Sequence, residues 1–168
     1  MLNPPRMLAI ALAATLLLAA AQTPAASGSP PTDQQEFCAL VARLRQSAPA
    51  DAKALQAARS EAETFIMQHR GVEWVGPVGR VIFSQSGKAA GEIEACPSSW
   101  VGGLSPDGAL DSDTWAEPET MVFNRWRAAK PGETMTFHAA LLGIYDSRSD
   151  FPAKIWVRAR IVDIAPAP

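Results

Sequence analysis

The sequence predicts an α+β protein, mainly β, in which an N-terminal helical hairpin precedes a five-stranded Greek-key barrel. Three observations carry this. Apolar stripes at helical spacing fill residues 33–70; beyond Gly71 the hydrophobic rhythm changes from period 3.6 to period 2; and glycine-bearing turns separate the alternating runs that follow.

Residues 1–21 read as an export signal, not as folded structure. Arg6 is their only charge, an apolar run extends from Met7, and Ala19, Ala20 and Ala21 close the segment with small side chains. The run is about 15 residues, short of the ~20 that a helix needs to span a bilayer, so no permanent anchor is expected. Cleavage after Ala21 fits, Ala25 would also serve, and no Cys follows either position to carry a lipid. The expected address is periplasmic or secreted. Residues 22–31, small and proline-rich, read as a disordered linker.

Residues 32–70 form the helical part. Thr32 and Gln35 make a capping-box pattern, and Phe37, Leu40, Val41 and Leu44 predict a first helix over about 33–46. Pro49 and Asp51 suit a helix start, Leu55, Ala58, Ala62, Phe65 and Ile66 form one stripe, and Gly71 supplies a stop. A second helix over about 49–70 is predicted.

Residues 71–164 form the barrel. The run 72–83 predicts a long first strand that Gly76, Pro77 and Gly79 coil or bulge. After a turn at 84–88, residues 90–96 alternate Ile93 and Ala95 against Glu92 and Glu94, a second strand. Residues 97–118 are rich in Gly, Ser, Asp and Pro and predict an irregular insertion, with a short third strand near 110–116. Residues 119–129 suit two helical turns ending before Pro131. Met135, Phe137, Ala139 and Leu141 mark the inner face of a fourth strand, and Ile155, Val157, Ala159 and Ile161 that of a fifth. The tail, 165–168, is expected to fray.

Three strands, a short helix and two more strands, the first strand coiled, is the element order of an OB-fold. Two segments carry a further likeness. Trp74-Val75-Gly76-Pro77-Val78 and Lys130-Pro131-Gly132-Glu133-Thr134-Met135-Thr136-Phe137 resemble the exported bacterial OB-fold proteins near the anticodon-binding-like (tRNA_anti-like) group. The resemblance covers about residues 36–164 and implies an OB-like barrel with a binding or interaction role. It transfers no site residue.

Cys38 and Cys96 are the two cysteines, and export to an oxidising compartment predicts a disulfide between them; the alternative is a pair of buried thiols. The chain has 15 basic and 17 acidic residues, a formal net charge of −2, and no global attraction to nucleic acid or anionic lipid. One local feature stands out. Arg125, Trp126, Arg127 and Lys130, with Trp156, Arg158 and Arg160, interleave cations and aromatics as a face for an anion or single strand would; a charge-guarded edge strand is the expected reading, given the acidic net charge, and the ligand face is the alternative.

Asp107, Asp111, Asp113, Glu117 and Glu119 crowd one loop without the spacing of a known calcium loop, so solvated acids are expected and no metal is assigned. His69 suits a helix C-terminus, and His138 lacks a neighbouring nucleophile that would make it a general base. No G-x-S-x-G elbow, H-E-x-x-H helix, P-loop or dinucleotide glycine motif occurs, which leaves no catalytic residue or cofactor assigned. The expected function is that of a binding or interaction module with a protein or small-molecule partner, the alternatives being an anion or oligonucleotide binder and a hydrolase working through His138. Trp74, Trp100, Trp115, Trp126 and Trp156 are numerous for so short a chain: core packing accounts for them unless two or more stand exposed together.

Overall fold

A computed structural model describes residues 29–47, 51–104, 112–146 and 154–168. The predicted signal, most of the linker, Pro49, Asp107 and Asp111 lie outside those residues.

Helix α1 (Thr32–Gln46) buries Phe37, Leu40, Val41 and Leu44, and helix α2 (Ala52–Gln68) buries Ala58, Ala62, Phe65 and Ile66, the two predicted stripes. The capping box is not used. The helix starts one residue earlier than the box requires, with Pro31 at the cap and Thr32 already helical, and the Gln35 amide donates to the Pro30 carbonyl. Asp51 does cap α2, accepting from the Ala54 N–H at 3.0 Å. That helix ends at Gln68, before the expected Arg70. His69 leaves helical geometry while its ring stacks on Phe65 at a centroid distance of 4.0 Å, and Gly71 already belongs to the first strand.

Strand β1 (Gly71–Phe83) serves two partners, as the predicted coiling requires. Gly71–Pro77 pairs antiparallel with β4 (Thr134–Asp146), Val78–Phe83 pairs with β2 (Ala89–Cys96), and the register slips between Val78 and Val81. A Cβ at Gly76 would lie 2.2 Å from the Glu94 carbonyl oxygen, so only glycine permits this approach.

The third strand is not where the sequence suggests. Strand β3 is Ser99–Gly102, directly after β2, whereas the described residues of the 110–116 region, from Ser112, hold a 3-10 turn at Ser112–Thr114 and an isolated bridge from Ala116 to Ala89. Four residues with one buried valine carry too little periodicity to be read from sequence. Helix α3 (Met121–Ala128) follows, capped by the Thr120 hydroxyl.

Strand β5 (Ile155–Pro166) pairs antiparallel with β4 and parallel with β3, which closes a barrel of order β1-β2-β3-β5-β4. The tail does not fray: Met135 registers with Pro166, and the Ala167 N–H donates to the Thr134 carbonyl at 3.1 Å.

Aromatic side chains fill the barrel from two directions. Near the start of β1, Phe37 of α1 stacks on buried Trp74 at 5.0 Å, with Phe65 and Phe137 against the same indole at 6.4 Å. Near its end, Trp126 of α3 presses on Gly91 so closely that a Cβ there would come within 2.5 Å of the ring. Two devices fasten α1 to the strands. Cys38 and Cys96 are disulfide-bonded with Cα atoms 5.5 Å apart, and the Gln34 amide, 1 % exposed, fills the gap where β1 and β2 splay. Its Nε2 donates to the carbonyls of Val75 (2.6 Å) and Ala95 (2.9 Å), and its Oε1 accepts from the Val75 N–H (3.0 Å). Glu92, expected on a polar outer face, is buried instead, because Gly79 and Trp100 close over its stem.

Candidate binding face on strands β3, β5 and β4

Strict alternation along β5 sends Ile155, Val157 and Ala159 into the barrel and leaves Trp156, Arg158 and Arg160 on the outer surface, spaced about 7 Å apart. Lys154, just before the strand, has the same parity. Register then decides what surrounds them. Trp156 faces Trp100 across the parallel pairing, and the two indoles stack at 5.4 Å with planes 26° apart. On the other side Trp156 pairs with Tyr145, which is 44 % exposed. The result is a row of three aromatics crossing three strands.

The next row is different in kind. Arg158 pairs with Gly102 on one side and Gly143 on the other, so neither directly paired position carries a side chain. It reaches Asp113 in the 3-10 turn. Arg158 Nη2 donates to Asp113 Oδ1 at 3.0 Å and to Oδ2 at 3.2 Å, while Arg160 Nε donates to the Asp113 backbone carbonyl at 2.7 Å and its Nη2 stands 3.8 Å from Oδ2. Two arginines thus read a side-chain carboxylate and the main-chain oxygen of the same residue. These groups are 31–53 % exposed, so water screens the pairs and each contributes at most about 1 kcal/mol. Their significance is geometric.

Across Gly102 lies Glu92, whose carboxyl is raised above its usual value of 4.5 by burial, against an opposing pull from Arg80 at 3.4 Å. Glu94, opposite Trp100, is occupied by the Ser98 N–H at 2.7 Å.

The predicted face is therefore brought together only in part. Trp156, Arg158 and Arg160 share one surface. Trp126 does not belong to it: this side chain is 2 % exposed and faces the barrel core, because consecutive helical residues point about 100° apart and the inward direction falls to the apolar one. Arg125 and Arg127 flank it on the exposed side of α3, and Lys130 lies in the turn before β4, where its N–H donates to Glu133. Sequence reading missed Tyr145 and the partnership of Trp100, and counted Asp113 only as one of several loop acids. No local signal marks these contacts, since each depends on strand register.

The remaining candidates are placed as follows. Glu117 pairs with Lys88, and Glu119 is exposed at a positive φ of 68°. Among the described residues no three His, Cys, Asp or Glu side chains gather as a metal site would require. His69 is a helix-terminal packing residue against Phe65. His138 borders a shallow groove of about 310 Å³ with Glu73 at 3.7 Å; the described lining is Gly71, Val72, Glu73, Ala139, Ala140 and Val162, with no hydroxyl or thiol. Trp74 and Trp126 are core, Trp115 is half-buried, and Trp100 and Trp156 form the surface stack. Among the described residues no helix is long and apolar enough to cross a membrane. With fold and face described, comparison with family models, curated proteins and solved structures finds no match to this chain.

Proposed function

We propose that this chain is an exported, non-catalytic binding module: a helical hairpin and an OB-type Greek-key barrel, released by cleavage near Ala21, that meets its partner through the outer face of β3, β5 and β4. The strand order with β3 parallel to β5, and α3 between β3 and β4, supports the OB assignment. Export is supported by the apolar N-terminal segment together with the Cys38–Cys96 bond, which persists in an oxidising compartment.

One observation carries the binding role. The row Trp100, Trp156, Tyr145 beside Arg158 and Arg160 offers stacking surface and directed donors on a single face, while the barrel interior is filled by Trp74, Phe137 and Trp126. A binding module of this kind works from its outer surface.

The test is a fluorescence titration of the purified protein against anionic polymers, with Trp156→Ala and Arg160→Ala variants in parallel. Saturable quenching that weakens with salt and is lost in both variants supports the reading. Binding that is equal in wild type and variants removes this face from the function. Cell fractionation showing the full-length chain in the cytosol with free thiols would remove the export assignment.

A further inference from the structure

Two shallow grooves meet on the outer face of β1, β4 and β5. The groove of about 310 Å³ at His138 and a second of about 350 Å³ between the end of α2 and β4 share Ala140. Among the described residues six large apolar side chains are exposed, and three of them line these grooves, Val162 the first and Met67 and Leu142 the second. The β4–β5 ladder slips twice here. Leu142 is the extra residue between the pairs Leu141–Ala159 and Gly143–Arg158, and Val162 is the extra residue between the pairs Ala139–Ile161 and His138–Asp163. A bulge releases a side chain from the inner–outer alternation, and each of these bulges turns an apolar one to water, Leu142 at 40 % exposure and Val162 at 55 %. Apolar surface gathered in this way, with a polar rim, marks a contact surface.

The charges of the rim identify what covers it. Strands β1 and β5 are both antiparallel to β4 and so run parallel to each other on its two sides. Register sets Arg70-Gly71-Val72-Glu73 level with Arg160-Ile161-Val162-Asp163: Glu73, His138 and Asp163 form one row across the three strands, and Gly71, Ala140 and Arg160 form another. Each segment carries a cation and, three residues or about 10 Å further on, an acid. The patch has a basic end and an acidic end whose four charges cancel, so neither a polyanion nor a polycation complements it. A surface of reversed polarity does, and a second copy presents one. Turned through 180° about an axis that lies between the two faces and crosses the strands near Ala140, the second copy sets its Arg70 against Glu73 and its Arg160 against Asp163, and each contact occurs twice. Gly71 and Ala140, near the axis, let the faces approach; Val162 is enclosed between them, and Leu142 of each copy covers the His138 end of the other.

We infer that the chain self-associates as a two-fold dimer through this β1–β4–β5 face, with reciprocal Arg70–Glu73 and Arg160–Asp163 contacts arranged around Val162. Neighbouring charges are compatible with it. His138 stays beside Glu73 at 3.7 Å, Arg158 at the margin stays on Asp113, and Asp113 engages the Nε and Nη2 of Arg160, whose guanidinium has further N–H donors for a second acid. Exposed ion pairs add little attraction, so these set the orientation of the copies while burial of Met67, Leu142 and Val162 supplies the attraction. The inference goes beyond the binding role proposed above and does not depend on it: Trp100 and Trp156 lie outside the interface, and Arg160 borders both.

Sedimentation equilibrium of the purified protein over about 1 μM to 1 mM, the range in which small interfaces dissociate, is expected to show a reversible monomer–dimer equilibrium. Arg70→Glu and Glu73→Arg each set like charges against one another at two points, and each alone should weaken the dimer by about tenfold or more. An equimolar mixture of these two variants should dimerise at least as well as wild type, because only the mixed pair matches acid to cation at both points. Val162→Asp puts a charge at the centre and should weaken the dimer by a similar factor. Trp156→Ala, which removes the proposed ligand face, should leave the dimer unchanged, so the two readings fail separately. Near-UV circular dichroism checks the fold of each variant; where a reversal alters it, Arg70→Gln and Glu73→Gln take its place, each expected to weaken the dimer by about threefold. A single monomeric species across the whole range overturns the inference. A dimer that keeps its wild-type strength in Arg70→Glu, Glu73→Arg and Val162→Asp places the contact on another face and overturns it as well. Two weakened single variants whose mixture stays monomeric overturn the two-fold pairing.

Discussion

The joint between α1 and the barrel can be tested at Gln34. This buried amide satisfies three backbone groups that the splay of β1 from β2 leaves without strand partners: the N–H and C=O of Val75 and the C=O of Ala95. Gln34→Leu keeps the volume and removes all three bonds. An orphaned buried polar group costs roughly 1–3 kcal/mol, and relief from desolvating the amide itself offsets part of the sum, so a net loss of about 3 kcal/mol is expected. With a urea m-value of about 2 kcal/mol/M, the unfolding midpoint should fall by about 1.5 M. Gln34→Glu separates bonding from packing. It retains an acceptor for the Val75 N–H but turns an oxygen toward two carbonyls, and at neutral pH it should be more destabilising than leucine. Urea unfolding followed by tryptophan fluorescence reads both. A leucine variant within about 0.5 kcal/mol of wild type would refute the reasoning, because the site would then be held by apolar packing alone.

Reduction of the Cys38–Cys96 bond frees a loop of 58 residues, which the chain-entropy argument values at about 4 kcal/mol; dithiothreitol should lower the urea midpoint, and an unchanged midpoint would show that the bond closes nothing the fold does not already close. Gly91→Ala drives a methyl into the Trp126 ring and should cost about 1–3 kcal/mol, seen as a lower melting temperature with altered near-UV signal; an unaltered melt would mean that α3 is free to shift. Glu92 has a carboxyl raised by burial, only partly countered by Arg80, so the folded state keeps a proton that the unfolded chain gives up near 4.5. Stability from this group is therefore present below that value and lost as pH rises through the folded-state value. Glu92→Gln should lose less stability than wild type between mildly acid and neutral pH, and parallel pH profiles for the two proteins would exclude the assignment.

How much of this was legible in advance depends on the range of each interaction. Phe37, Leu40, Val41 and Leu44 announced α1 because helical burial repeats within four residues, and Ile155, Val157, Ala159 and Ile161 announced β5 because a strand repeats every two. Boundaries were less legible. The Thr32 box failed because the helix starts one residue earlier, at a Pro31 cap, and Gly71 opened a strand where a helix stop was expected. Strand β3 escaped notice for want of length, and its misplacement hid the stack of Trp100 on Trp156.

The candidate face shows the same division. Outward parity of Trp156, Arg158 and Arg160 was fixed by local alternation, so the sequence by itself determined that an aromatic and two cations would share one surface of β5. Which side chains meet them was decided by tertiary structure alone. The parallel register of β3 brings Trp100, the β4 pairing brings Tyr145, and a turn 45 residues earlier in the chain delivers Asp113. The same holds for Trp126, which local order grouped with Arg125 and Arg127 and which barrel closure drew inward onto Gly91. Periodicity is a property of neighbours along the chain, whereas register and closure are set by the packing of the whole barrel, and no short window of residues encodes them.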